Sequence, residues 1–132
     1  MLTKIHSTLP PELDALIEQV IGCLIEVHRQ LGPGYLESTY HRATCIELAA
    51  HLIPFEEQKV LEVMYRGERI HGQRLDLLVD KRLILELKAV SHLEPIHGSQ
   101  LVSYLTAANL RAGLLVNFNS LLLKNGLKRV VR

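Results

Sequence analysis

The sequence predicts one α/β domain over residues 1–132, built on a mixed β-sheet with helices packed against it. Its length and its hydrophobic fraction of 48% fit a single domain with its own core. Apolar residues recur at helical spacing in three segments: 11–31, 35–51 and 96–111. Shorter apolar or alternating runs predict four strands: 56–65, 69–79, 83–90 and 114–118.

The limits of the helices follow from glycine and proline. Gly32 and Pro33 are expected to stop the helix at 11–31, and Gly113 is expected to end the helix at 96–111. Predicted boundaries of this kind carry an error of about 2–4 residues.

The connections set the sheet topology. Short links, including the turn at Arg66-Gly67, make the first three strands an antiparallel meander. The strand at 114–118 follows a crossover helix, so it is predicted to lie parallel to a strand already in the sheet. The tail at 127–132 is predicted to add an edge strand. The element order is therefore α-α-β-β-β-α-β-β.

Bulk composition excludes several classes of protein. Fifteen basic residues face fourteen acidic ones, so bulk charge does not indicate nucleic-acid binding, and the absence of Trp argues against a base-stacking platform. No apolar run reaches membrane-spanning length, and Met1–His6 lacks the apolar core of a signal peptide, so we expect a cytoplasmic protein without membrane contact. Cys23 and Cys45 are too few for a four-thiolate metal site and are expected to be buried free thiols.

Two acids interrupt apolar strands. Glu86 and Lys88 project from the same face of one predicted strand, because side chains alternate along a strand. Asp76 lies in the preceding strand. A three-residue loop that pairs Val79 with Leu83 would set Asp76 opposite Glu86, whereas a two-residue turn would put the acids on opposite faces. The former register, or a bulge that restores it, is predicted.

Paired carboxylates favour a metal. Two neighbouring carboxylates raise each other's pKa, and a divalent cation relieves their repulsion; oxygen-rich sites suit Mg²⁺ or Mn²⁺. Lys88 would then orient a nucleophilic water or neutralise charge on a phosphate. The alternative is a salt-bridged polar face in which Lys88 pairs with Asp76 or Glu86 and nothing binds. From the residues alone, the two interpretations stand about even.

Polar residues on two helices extend this pattern. His97, Gln100 and Tyr104 lie at i, i+3 and i+7 on one helical face. Gln100 and Tyr104 can donate to a bound water or a phosphate; otherwise they form a polar helix flank. Glu37 falls in the first turn of the second helix, where the helix dipole favours a carboxylate, and composition alone prefers this structural role.

These motifs resemble those of a known superfamily. Asp76, Glu86-Leu87-Lys88 and Gln100–Tyr104 resemble the motifs of the PD-(D/E)XK nuclease superfamily, the last being closest to its RecB-like branch. Gly34–Tyr40 resembles the GxxExxY signature of a small bacterial and archaeal family within that superfamily, and the resemblance covers residues 16–132. Leu75 stands where the superfamily's name has proline.

The resemblance implies a restriction-endonuclease-like core with a Mg²⁺-dependent phosphodiesterase site, in which Mn²⁺ is expected to substitute. It implies metal ligation by Glu37, Asp76, Glu86 and the backbone carbonyl of Leu87. The catalytic set would be Asp76, Glu86, Lys88 and Gln100. Three further residues would support the site: Tyr40, His97 and Tyr104.

The first functional hypothesis is therefore a metal-dependent nuclease that acts on DNA, as a homodimer or with a partner protein. Phosphate contact would need local basic residues. The candidates are Lys81, Arg82, Arg111, Lys124, Lys128, Arg129 and Arg132. The alternative is a non-catalytic nucleic-acid-binding or accessory module that keeps the nuclease fold. A phosphohydrolase acting on nucleotides is disfavoured, because no glycine-rich phosphate loop is visible.

Overall fold

The computed structural model describes residues 8–132, so most of the segment before the first helix lies outside the described residues. Two helices come first, α1 (Pro11–Leu31) and α2 (Glu37–Ala50). The remaining elements follow in chain order: β1 (Phe55–Tyr65), β2 (Glu68–Val79), β3 (Leu83–Lys88), α3 (Pro95–Ala108), β4 (Ala112–Asn117), a 3-10 turn (Leu123–Gly126) and β5 (Leu127–Val131).

The five strands form one mixed sheet in the order β1-β2-β3-β4-β5. The pairs β1–β2, β2–β3 and β4–β5 are antiparallel, whereas β3 and β4 are parallel and are joined through α3. The predicted meander, the parallel strand after a crossover helix and the terminal edge strand are all confirmed.

Each face of the sheet packs against helices. The larger core lies under α1 and α2, and its α1 side chains recur at helical spacing: Leu13, Leu16, Ile17, Val20, Leu24 and Val27. The smaller core lies under α3. It contains Leu61, Leu75, Ile84, Leu101, Tyr104, Leu105 and Leu115. The free thiols of Cys23 and Cys45 are buried, as predicted.

Side chains of β2 stop alternating regularly between the two faces of the sheet near Asp76. Leu75 packs in the core under α3, yet Leu77, two residues on, packs in the core under α1 and α2. Asp76 lies between them. The pairing of β1 with β2 likewise steps over Gln58, whose φ of 49° is uncommon for a residue other than glycine. Both strands are therefore irregular where Asp76 projects.

Two predicted boundaries differ from the structure within their expected error, but the residues that set them are not the expected ones. Helix α3 ends at Ala108, because Asn109 adopts the left-handed conformation that caps a helix and asparagine tolerates this conformation. Gly113, the expected stop, lies inside β4 instead. A Cβ at Gly113 would lie 2.8 Å from a Leu101 methyl and 3.2 Å from the Ile84 carbonyl oxygen, so glycine permits α3 to pack closely on the sheet.

Strand β3 ends at Lys88, two residues earlier than predicted. The Asn117 side chain accounts for this end: its Oδ1 accepts from the Val90 N–H at 3.0 Å, and its Nδ2 donates to the Val90 carbonyl at 2.9 Å. An amide side chain therefore satisfies the backbone that would otherwise extend the strand. Within residues 8–132, no helix is long and apolar enough to cross a bilayer.

Candidate active site

The acid pair forms as the register predicted. Val79 pairs with Leu83 and Leu77 with Leu85, which brings Asp76 beside Glu86. Each carboxylate accepts from backbone near the other: the Asp76 N–H donates to Glu86 Oε1 at 3.4 Å, and the Leu87 N–H donates to Asp76 Oδ2 at 2.9 Å. These side-chain bonds hold both carboxylates in fixed orientations where the regular strand pairing ends.

The environment of Glu86 disfavours its charge. The residue is only 4% exposed, and burial first, then the neighbouring Asp76 carboxylate, raises its pKa well above the ordinary value. Lys88 offsets this effect in part. Among residues 8–132, Lys88 makes no ion pair within 4.0 Å, so the salt-bridged face considered above is not what forms. The Asp76 side chain lies beside the buried Glu86 instead, with each carboxylate bound by a backbone N–H of the neighbouring strand.

Glu37 lies beside this pair. It is the first residue of α2, and its pKa is raised by partial burial and by Asp76, while Lys88 and His41 act in the opposite direction. An open cleft of about 420 Å³ brings the helix and the sheet together here, lined by Glu37, Ser38, His41, Gln58 and Asp76. Glu37 and Asp76 therefore meet in this cleft, and Glu86 reaches Asp76 from β3 without being among the cleft-lining residues.

Tyr40 fixes the start of α2. Its hydroxyl donates to the Gly32 carbonyl at 2.5 Å and accepts from the Tyr35 N–H at 3.1 Å. Its ring stacks on Phe118, with centroids 4.6 Å apart, and the Phe118 N–H donates to the Lys88 carbonyl at 2.9 Å. Tyr40 thus couples the loop before Glu37 to the end of the strand that carries Lys88.

Helix α3 contributes on the other side of the sheet. The Tyr104 hydroxyl donates to Gln73 Oε1 at 2.8 Å, and its pKa is raised by burial and by Glu86 and Asp76. Gln100 is half-buried one turn before Tyr104. His97 belongs to the capping box at the helix start, where its Nδ1 accepts from the Glu94 N–H at 2.9 Å. The structure therefore gives His97 a role in starting the helix.

The predicted basic contacts do not form one group. Lys81 and Arg82 lie at the β2–β3 turn, and Arg82 precedes Glu86 by four residues, roughly 13 Å along the strand. Arg111 lies at the same far end, because β4 runs parallel to β3. Arg129 pairs with Asp14 at 3.5 Å. The remaining candidates are spread along the sheet. Lys124 follows the end of β4 nearest Lys88, and Lys128 lies on β5 opposite Leu115. Arg132 lies at the far end, where its N–H donates to the Arg111 carbonyl.

Several residues at the site were missed from the sequence. Gln73 binds Tyr104, and Gln58 carries the irregular backbone beside Asp76. His41 lines the cleft one helical turn after Glu37, and this spacing of four residues was a signal present in the sequence. Gln58 and Gln73 gave no such signal, because their importance depends on which strands become neighbours.

Fold and site together define the class of restriction-endonuclease-like domains: a mixed sheet between helices, with two acids and a lysine on adjacent strands. The family model of the PD-(D/E)XK nuclease superfamily matches residues 14–130, and the chain belongs to that superfamily. Membership indicates a phosphodiester hydrolase that acts on nucleic acid, and nucleases of this superfamily use divalent metals. Searches of curated proteins and of solved structures each gave no match.

Proposed function

We propose that this protein is a Mg²⁺-dependent nuclease that hydrolyses phosphodiester bonds in DNA. The contact between Asp76 and Glu86 supports this proposal most directly, because their backbone bonds hold two carboxyl groups together at a cost in folding free energy. Asp76 also raises the pKa of Glu37, and Lys88 acts in the opposite direction on the pKa of both Glu37 and Glu86. A purely structural polar face would gain nothing from this arrangement.

The donor set fits a hard divalent cation. The ligands would be Glu37, Asp76, Glu86 and the Leu87 backbone carbonyl, all of which offer oxygen. Burial and the neighbouring Asp76 carboxylate raise the pKa of Glu86, and a bound cation would offset the repulsion between the two acids. When bound, a divalent cation supplies Lewis-acid activation of water and neutralises phosphate charge. We expect Mn²⁺ to substitute for Mg²⁺.

The protein's own side chains would hold and polarise the substrate. Lys88 is half-buried on the face of Glu86 and makes no ion pair among the described residues, so its ammonium group is available to a phosphate oxygen. Gln100 can donate to the same phosphate or to a water from α3. Tyr104 acts through Gln73 and would hold β2 against α3 beside the acids.

We further assign the chain to the GxxExxY family within this superfamily. Glu37 and Tyr40, two of the three named residues of that signature, carry separate tasks here: one presents a carboxylate to the cleft and the other fixes the loop before it. The described chain presents few substrate contacts around the acids. We propose that a second copy of the chain or a partner protein in the cytoplasm supplies the remaining substrate contacts. On this chain, Lys124 and Lys128 are the basic candidates nearest the end of the sheet that carries the acids.

The test is nicking of plasmid and single-stranded DNA with Mg²⁺ or Mn²⁺. Asp76→Asn and Lys88→Ala are expected to lower the cleavage rate at least 100-fold, because each removes a charge that acts on the reacting phosphate. Asp80→Asn is the matched control, since Asp80 lies at the far turn and pairs with Arg82. DNA binding without cleavage under every metal condition would instead identify the accessory module.

A further inference from the structure

A second cluster of metal-ligating side chains borders the cleft. His41, Cys45 and Glu57 each offer one ligand atom, and the three atoms lie within 4.8 Å of one another. None of these residues belongs to the acid pair. Cys45 is buried, His41 is partly buried and Glu57 is exposed, so the cluster reaches from the core to solvent.

The fold brings the cluster together from two elements. His41 and Cys45 are four residues apart on α2, so they project from one helical face. Glu57 comes from β1, where it pairs with Leu77 directly before the irregular Gln58. The same distortion that accompanies Asp76 therefore lies beside Glu57.

Two of the three side chains already meet the third at a single oxygen atom. Glu57 Oε1 lies 3.0 Å from His41 Nε2 and accepts from Cys45 Sγ at 3.4 Å. Ligands about 2.0–2.3 Å from a tetrahedral zinc ion are separated by roughly 3.3–3.8 Å. Small side-chain rotations would thus convert this hydrogen-bonded group into three corners of a tetrahedron.

We propose that His41, Cys45 and Glu57 form a second metal site, which binds Zn²⁺ with water as the fourth ligand. The ligand chemistry separates it from the acid pair: thiolate and imidazole select borderline transition metals, whereas the oxygen donors of Glu37, Asp76 and Glu86 suit Mg²⁺. Burial raises the pKa of the Cys45 thiol to about 12, and Glu57 adds to the effect. Zinc binding therefore releases the thiol proton.

This zinc ion would clamp α2 to the edge strand β1. His41 lies one turn after Glu37, and both line the cleft with Asp76. Fixing His41 against Glu57 would hold the first turn of α2, and with it Glu37, over the sheet. The role is structural, in the sense that the zinc positions a carboxylate without contacting the substrate.

Cobalt(II) is the probe, because a cobalt–thiolate bond gives a near-ultraviolet charge-transfer band that oxygen and nitrogen ligands do not give. The protein carries Asp76→Asn and Glu86→Gln, so the oxygen site is disabled and nuclease activity plays no part in the result. We expect one Co²⁺ per chain with the thiolate band, displaced by one Zn²⁺ and not by excess Mg²⁺.

Matched variants assign the ligands. Cys45→Ser is expected to abolish the band, and His41→Ala and Glu57→Gln to weaken Co²⁺ binding at least tenfold. The control for Cys45 is Cys23→Ser, since Cys23 lines a separate cavity of about 670 Å³ with Glu47 and His51. Glu56→Gln is the control for Glu57.

Three results would overturn the proposal: binding without the thiolate band, equal loss of the band in Cys23→Ser, or displacement by Mg²⁺. Glu57 is solvent-exposed, so Glu57→Gln is expected to fold. It therefore still tests the ligand set if Cys45→Ser fails to fold. If the wild-type protein proves to have no nuclease activity but binds cobalt in this way, the proposed function fails and the zinc site is still supported.

Discussion

At the scale of single residues, Glu86 is an acid buried in the sheet at a cost in folding free energy. Its carboxyl group is almost fully buried, its neighbour is another acid, and the nearest amine, on Lys88, stays beyond ion-pair distance. Burying a charge without a close partner opposes folding. The sheet tolerates it because backbone N–H groups hold the two carboxyl groups in place.

Removing this charge should therefore stabilise the metal-free protein. The folded-state pKa of Glu86 lies above its unfolded value, so the folded state binds more protons and loses stability as pH rises through that interval. We expect Glu86→Gln to raise the free energy of unfolding by roughly 1–3 kcal/mol at pH 8 and by much less at pH 5. Urea unfolding in EDTA measures both values.

The exposed Glu68→Gln is the control for this experiment and should change stability little at either pH. A Glu86→Gln variant that is less stable than wild type at pH 8 would contradict the account. Such a result would mean that the charged carboxylate is satisfied in the folded state.

The acid pair was predictable from the sequence, whereas much of its surroundings was not. Asp76 and Glu86 are conspicuous because each interrupts an apolar strand, and a three-residue turn fixed their register. Gln73 and Glu57 belong to runs of mixed polarity with no such contrast. Their partners come from elements far along the chain, so only the folded topology reveals the contacts.

At the scale of elements, the contact between α3 and β4 shows why one boundary prediction failed. Gly113 was expected to end α3, because glycine commonly follows a helix. Its backbone is instead an ordinary part of β4, and its missing side chain is what matters. Asn109 ends the helix, and a single asparagine is a weaker signal than glycine.

Gly113→Ala should destabilise the protein by about 1–3 kcal/mol, because the added methyl group meets the Ile84 carbonyl oxygen and a Leu101 methyl group. Gly98→Ala, on the helix α3 that packs against Gly113, is the matched control. Nothing lies within 4 Å of its added Cβ, so higher helix propensity should stabilise by up to about 1 kcal/mol. Thermal unfolding measures whether each variant is more or less stable than wild type. Equal changes in stability would refute close packing at Gly113.

At the scale of the whole molecule, the sheet is unevenly supported. Strands β3 and β4 are buried between the helical layers, whereas the distal part of the β1–β2 hairpin is mostly exposed. The order of elements and the mixed sheet followed from periodicity and connection lengths. The extension of the β1–β2 hairpin beyond the helices could not be predicted in this way. The alternating pattern in 56–65 and 69–79 does not indicate which part of a strand is covered by helices.

This unevenness predicts a gradient of local stability. Amides of 62–71 should exchange with solvent at least tenfold faster than those of Leu83–Lys88, since few buried contacts oppose opening of the distal hairpin. Hydrogen–deuterium exchange followed by mass spectrometry resolves the two segments. The β4 segment serves as a second internal reference, and uniform protection along the sheet would show that something covers the hairpin.

The distorted backbone at Gln58 has a consequence for solubility. Strand β1 is an eleven-residue border of the sheet, and it carries exposed apolar side chains at Val60 and Met64. A long flat border invites other polypeptides to add on and stack into fibrils. Gln58 and the register shift between Leu61 and Val63 interrupt this border at two places. We expect the irregular backbone beside Asp76 to disfavour the addition of another strand along this margin.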